Sequence, residues 1–435
     1  MKKLLILLIC LPALGFAQHE LKATFSPAED FTYAFLYKMT PADPIFIANA
    51  KLDSLGTASI ALDSTATPGI YKVIYALPPE ENNFDFIYNG KENVELSFDL
   101  QNGVEFLTSN ENKLWASYLK SMDIINRTIS NYYSKESTDE KAFMDIFKTL
   151  KETQTAYENS SENTLVNTFI KANKPYIPSE YQSIKTYSQN LKSNYFTSIN
   201  FDDPLLQSST FISDRVNGFV FNLVETPEDS TYKEHIDLVA TAIKPYSDKT
   251  QSDIFVMLWE RFVTMGKDHI ANYIADTYLL AISSKMNDTD LTQRLSTFKN
   301  TALGVVAPDF KISAQNEETK MLSDLDDSEN YILVFWSSNC GHCLEELPQL
   351  KTLLKNYPTY KVIAFGIEDS ASRWSNEIKN YPDFIHTLGL QKWNNPIVNT
   401  YGISATPTYF VLDKGKKIMA KPYDMVALKT YLSKK

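Results

Sequence analysis

Cysteine is scarce in this 435-residue chain: there are three, and Cys10 lies in an apolar leader, leaving Cys340 and Cys343 beyond it. One pair in a chain this long does not make a disulfide framework for stability, so chemistry explains the pair better than stapling. Histidine is sparse too. The five, at 19, 235, 269, 342 and 386, show no paired ligand spacing, and zinc on the two thiols would need two further ligands. Past the leader no run of about 18 apolar residues occurs, which predicts a soluble mature chain. Heptads, internal repeats and low-complexity tracts are also missing. Positive charge is outnumbered, with 42 Lys and Arg against 53 Asp and Glu and a net charge of −11. That balance argues against nucleic acid and anionic membrane surfaces as partners.

The first residues have the pattern of a secretory signal. Lys2 and Lys3 precede an apolar stretch from Leu4 to Leu14, and Gly15-Phe16-Ala17 offers a small-x-small cleavage site. Leu7-Leu8-Ile9-Cys10 lacks the small residue that a lipoprotein signal carries before cysteine, so cleavage is expected after Ala17. The expected compartment is the bacterial periplasm, where exported proteins meet both oxidising and reducing thiol systems.

The length leaves room for about two or three domains with full cores, and three patterns divide the chain. Residues 18–107 carry short β-branched and aromatic runs between turn signals: Phe31–Leu36, Pro44–Ala48, Ala58–Leu62, Ile70–Ala76, Phe84–Tyr88 and Val94–Phe98. Both faces of Ile70–Ala76 are apolar, which suggests a packed sandwich. Residues 108–300 have helical spacing, for example Leu114, Trp115, Tyr118, Leu119, Met122, Ile125 and Ile129, and Ser252-Asp253 resembles a helix cap. Their Tyr, Phe and Leu stripe is core material, and no catalytic cluster stands out. Residues 301–435 alternate strand and helix, the pattern of a mixed α/β sheet. Strands are expected at Asp309–Ser313, Met321–Leu325, Tyr331–Trp336, Lys361–Ile367 and Phe384–Leu388, with a terminal hairpin Tyr409–Leu412 / Lys416–Ala420. Helices are expected from Cys340 to Leu354, and at Ser370–Lys379, Pro396–Tyr401 and Asp424–Leu432.

Cys340-Gly341-His342-Cys343 follows the apolar run Ile332–Trp336, so the dithiol stands where a buried strand turns into a helix. A thiol at a helix start faces unpaired N–H groups and the positive end of the dipole, and both favour the nucleophilic thiolate. The second thiol, one turn along, can resolve a mixed disulfide. A structural disulfide or half of a zinc site would share the spacing.

The surrounding motifs resemble the thioredoxin-fold domain of exported TlpA/ResA-like thiol-disulfide oxidoreductases. Ala307-Pro308-Asp309-Phe310 is similar to their opening, Phe335 to Cys343 to their strand-to-redox-helix segment, and Thr406-Pro407-Thr408 to their cis-proline loop. Pro68-Gly69-Ile70-Tyr71 and Ser109-Asn110-Glu111-Asn112 resemble the N-terminal extension of many such proteins. The resemblance implies Cys340 and Cys343 as the catalytic pair, Glu346 as a proton-handling carboxylate, Pro348 as a helix-kinking proline and Pro407 as a cis residue opposite the pair. Beside the pair at the helix start, His342 can stabilise the thiolate by charge or hydrogen bonding, so Gly341 and His342 are expected to tune the redox poise. A cis Pro407 would leave the Thr406 backbone free to pair with an extended substrate, and Trp336 and Thr406 are the expected substrate-binding residues. Val334 replaces the buried aspartate of thioredoxin, and Asn339 replaces the tryptophan that commonly precedes the first cysteine. No cofactor or metal is expected. The expected partners are disulfide- or thiol-containing proteins and a thiol-disulfide electron donor or acceptor, and the N-terminal regions could supply a docking face or a homo-oligomer interface. Reduction is the favoured direction. The Cys-Gly-His-Cys tetrapeptide, typical of disulfide isomerases, keeps isomerase or oxidase chemistry open, as does a non-catalytic protein that retains the module. A peroxiredoxin would need a Pro-x-x-x-Thr/Ser-x-x-Cys arrangement, which the stretch before Cys340 lacks.

Overall fold

The computed structural model describes residues 19–62, 66–223, 226–312 and 319–434. The chain forms two compact units that divide between Ile254 and Phe255.

The first unit opens with eight strands: β1 His19–Ser26, β2 Tyr33–Lys38, β3 Ile45–Lys51, β4 Thr57–Leu62, β5 Gly69–Ile74, β6 Asn83–Tyr88, β7 Val94–Asp99 and β8 Gly103–Phe106. They make two four-stranded sheets, β4-β1-β7-β8 and β3-β2-β5-β6. Alternation decides which side chains enter the core. Leu21, Ala23 and Phe25 of β1 point inward, as do Leu36, Val73 and Phe86 of the facing sheet, while Glu20 and Lys22 are exposed. The sandwich is therefore real. Six of its strands sit where the sequence pattern puts them, each shifted by a few residues at most. The two additional strands are β1, directly after the leader, and the four-residue β8 beyond the Asn102-Gly103 turn.

The helix Asn110–Ser134 buries Tyr118, Met122, Ile125, Ile129 and Tyr132, a stripe at spacings of three and four. The Ser109–Asn112 phrase explains how this helix is anchored. Asn112 is buried, and its side chain accepts from the Ile87 N–H at 2.8 Å and donates to the Ile87 carbonyl at 2.7 Å. Glu111 accepts from the Val166 N–H at 3.0 Å. Ser252-Asp253 is not a cap. The helix runs Asp248–Thr264, and Lys249 pairs with Asp253 one turn on, extending the helix upstream of the expected start.

The second unit contains the helices Asp268–Ile274, Leu280–Met286 and Thr289–Asn300, then a short pair β9 Lys311–Ile312 and β10 Lys320–Met321. The strand expected over Met321–Leu325 stops at Met321, because the Asp324 carboxylate accepts from the Met321 N–H at 2.8 Å and closes a 3-10 turn. Ser313, the expected end of the other strand, lies outside the described residues. The main sheet joins β11 Asn330–Trp336, β12 Tyr360–Ile367, β13 Ile385–Gly389, β14 Thr408–Asp413 and β15 Ile418–Ala420 in the order β13-β12-β11-β14-β15. β11 is parallel to β12 and antiparallel to β14. Tyr331, Leu333 and Phe335 enter one core and Ile332, Val334 and Trp336 the other, so both faces of β11 are buried. This is the thioredoxin fold.

Asn112→Ala strips Ile87 of both backbone partners in a dry site. We expect a loss of about 2–4 kcal/mol from two orphaned groups, measured as a lower urea midpoint; an unchanged midpoint contradicts the anchoring role.

Candidate active site

β11 delivers the chain to the site and the next helix receives it. Cys340 is the N-cap of the helix Gly341–Leu353, and its Sγ accepts from the Cys343 N–H at 3.3 Å. Sulfur thus takes the capping place that hydroxyl or carboxylate oxygens usually fill. Both cysteines are free thiols, so the structure is of the dithiol form. Cys340 is half-buried and Cys343 fully buried.

Those surroundings split the two thiols. For Cys340, burial works upward, but it is outweighed by hydrogen bonding with the Cys343 and Thr406 side chains and with the backbone N–H groups of Cys343 and His342, and the net shift is downward. For Cys343, burial leads and the neighbouring Cys340 sulfur adds to it, pushing the thiol up to about 12. One accessible nucleophile and one protonated reserve result.

The Thr406-Pro407 peptide is cis, and the Thr406 carbonyl accepts from the Cys340 thiol at 3.2 Å. The structure therefore brings Cys340, Cys343, Thr406 and Pro407 together. Glu346 is half-buried and its Oε2 accepts from the Tyr409 hydroxyl at 2.7 Å. Adjacent Glu345 is exposed. Tyr409 lies opposite Val334 in the β11–β14 ladder and shares a core with Cys343. Burial, then the Glu346 carboxylate, holds its hydroxyl proton far above the ordinary range. At the level where thioredoxin carries a buried aspartate, this chain has Val334 beside a tyrosine that reaches Glu346.

Other expectations change. Trp336 is 0% exposed and packs with Cys343 and Leu347, so it belongs to the core and not to a substrate-contacting surface, as the last inward residue of a strand buried on both faces. A Cβ added at Gly341 would meet nothing, so its lack of a side chain is not a packing requirement. The His342 side chain is exposed; what acts on Cys340 from this residue is its backbone N–H.

Three residues beyond the motif were not foreseen. Glu368, 1% exposed just past β12, accepts from the Ser338 N–H at 2.5 Å and from the Asn339 side chain at 3.2 Å. Exposed Arg373 donates to Asn339 Oδ1 at 3.1 Å. The turn before Cys340 is thus tied to the neighbouring strand and helix. A carboxylate at the C-terminal end of the strand beside the dithiol strand was the available signal, since ligand and active-site chemistry gathers there in α/β sheets. Tyr409 carried no signal beyond its strand pattern.

Residues 328–418 match a family described as thioredoxin-like. The chain is similar to the thiol-disulfide oxidoreductase ResA of Geobacillus thermodenitrificans, at 30% identity over 122 residues that cover 27% of this chain and 67% of that protein. It is also similar to ResA of Bacillus cereus (strain ATCC 10987), at 27% identity over 146 residues, 32% of this chain and 81% of the relative. Among solved structures, a thioredoxin-like protein from Bacteroides caccae aligns with 17% identity and a TM-score of 0.33, covering 60% of this chain and 96% of its own. Fold and site together define a thioredoxin-like enzyme. The chain belongs to the ResA/TlpA-like thiol-disulfide oxidoreductases.

The split thiols set a pH signature. Iodoacetamide should modify Cys340 with a midpoint below the ordinary thiol value of about 8.5, with Cys343 silent until pH nears about 12; equal labelling by mass spectrometry contradicts the assignment. Cys343, with its folded pKa raised, gives stability that is complete below about pH 8.5 and lost as pH rises toward the folded value. Cys340, with its pKa lowered, gives stability that is present above about pH 8.5 and lost as pH falls through the folded value. The urea midpoint of the dithiol protein should therefore begin to drop above about pH 8.5. Cys343→Ser should remove the part of the drop below about pH 10, while the buried tyrosines with raised values, Tyr118, Tyr187 and Tyr331 among them, keep the part above it. Glu368→Ala orphans the Ser338 N–H and should cost about 1–3 kcal/mol in urea unfolding; no loss means that the clamp is incidental.

Proposed function

We propose that the enzyme reduces protein disulfides through Cys340 and Cys343. The observation that carries this reading is the N-cap geometry, in which Cys340 accepts from the Cys343 N–H while Cys343 stays protonated beneath it. The Cys340 thiolate attacks one sulfur of a substrate disulfide. A mixed disulfide forms, and the other substrate sulfur leaves and takes up a proton. Cys343 gives its proton to the Tyr409 oxygen as Tyr409 passes its own to Glu346. The Cys343 thiolate then attacks Cys340 Sγ and the S–S bond to the substrate breaks. The second substrate sulfur departs as a thiolate and takes up the proton left on Glu346, and the two electrons of the dithiol end on the substrate. A thiol-disulfide electron donor restores the pair.

Substrate binding is assigned to the Thr406 edge. The N–H of Thr406 has no partner among the described residues, and its carbonyl holds only the nucleophile, so an extended substrate segment can pair there by strand addition. The direction of flow rests on the resemblance of the domain to reductases. A second reading, oxidase or isomerase, is favoured by the lowered Cys340 pKa, because a stabilised thiolate makes the disulfide more oxidising. Release into the periplasm after cleavage near Ala17, and self-association through the N-terminal regions, belong to the same proposal; residues 1–17 lie outside the described residues.

Cys343→Ser should accumulate mixed disulfides through Cys340 with cysteine-bearing proteins, resolved by dithiothreitol on a non-reducing gel, and Cys340→Ser should trap none. Glu346→Gln should slow resolution of a trapped peptide by about tenfold or more. Equal trapping by both cysteine variants would sink the assignment of roles.

A further inference from the structure

Far along the chain from the dithiol, the first unit holds an arginine without a counter-charge. Arg215, on the helix Phe211–Asn217, is half-buried. Its guanidinium carbon stands 3.9 Å from the centroid of the Tyr195 ring, and Nη2 donates to the Tyr195 carbonyl at 3.0 Å. Nε is buried with no acceptor, Nη1 has no partner among the described residues and is the end left for a ligand, and no carboxylate among those residues pairs with the group. Burial lowers its pKa. A desolvated guanidinium with unused donors, held flat on a ring, presents the planar fork that carboxylates and phosphates fit.

Two cavities meet at this group. The apolar one, about 310 Å³, has Asp85 and Asp214 in its wall, which disfavour an anion. The other, about 370 Å³, has no carboxylate in its lining. Asn126, Asn173, Lys174, Tyr187 and Asn194 face it with Arg215. Lys174 keeps only a 3.9 Å pair with Glu158, the Asn126 amide has no partner among the described residues, and the Tyr187 ring is already stacked on Tyr133 at 5.4 Å. The size falls at the small-molecule end of the usual range of about 300–1,000 Å³.

We propose that this cavity is a binding site for a small organic anion, with its carboxylate or phosphate on Arg215 and a ring-bearing body among the tyrosines and asparagines. The site uses none of the redox residues and stands or falls separately from the thiol chemistry. Calorimetric titration of the full-length protein with benzoate and phenyl phosphate tests it, with inorganic phosphate as the probe for charge alone. Both ring-bearing anions should bind, inorganic phosphate more weakly, and Arg215→Gln should weaken them by about tenfold or more. Arg215→Gln could also disturb folding, so exposed Lys174→Gln serves as the second variant, with an expected loss of about threefold. The proposal is overturned if neither ring-bearing anion binds up to about 10 mM, if inorganic phosphate binds as tightly as phenyl phosphate, or if both variants bind like the parent.

Discussion

The contact between the Cys343 N–H and Cys340 Sγ holds the functional end of the molecule together. It exists only if a helix begins at Cys340, and the helix begins there because β11 ends at Trp336 and the following turn is fixed. The turn is fixed because Glu368 accepts from Ser338 and Asn339, and β12 carries Glu368 into place beside β11. Each link is an ordinary hydrogen bond or a buried strand. Their product is an unequal pair of thiols three residues apart, one exposed enough to attack and one buried enough to wait.

The same scaffold solves the proton problem in its own way. With Val334 in the central strand, no carboxylate comes from β11. Register supplies the substitute: β14 sets Tyr409 opposite Val334, and its hydroxyl bonds Glu346 on the redox helix. A tyrosine whose proton is held far above neutrality cannot be a reservoir by itself. It can pass a proton between a buried thiol and a carboxylate nearer the solvent. In the proposed cycle that division of labour is what would let Cys343 stay in a dry core and still be deprotonated when a mixed disulfide forms.

Much of this was legible in the sequence. The buried run before Cys340, the dithiol spacing and the Thr406-Pro407 phrase locate the site, and the period-two runs before Leu107 locate the sandwich. Trp336 was misjudged because being next to a motif says nothing about which face of a strand a residue occupies. Glu368 and Tyr409 were invisible for a different reason. Each acts across a strand register, Glu368 from 28 residues after Cys340 and Tyr409 from 69 after it, and pairing between strands leaves no local pattern in the chain. The start at Asp248 was missed because a helix can extend on ion pairs past a residue that looks like a cap. The Ser109–Asn112 phrase is visible in the sequence but the job of Asn112 is not, since its partner Ile87 lies 25 residues away in the sandwich.

The central proposal is that the enzyme runs as a reductase, as the resemblance of its domain to reductases implies, and the reduction potential of the Cys340–Cys343 pair tests it most directly. Purified protein is equilibrated against glutathione redox buffers, and the fraction of dithiol is read by alkylation and mass. A value near or below about −250 mV is the predicted result. A value nearer about −150 mV would contradict the account and identify an oxidant or isomerase instead.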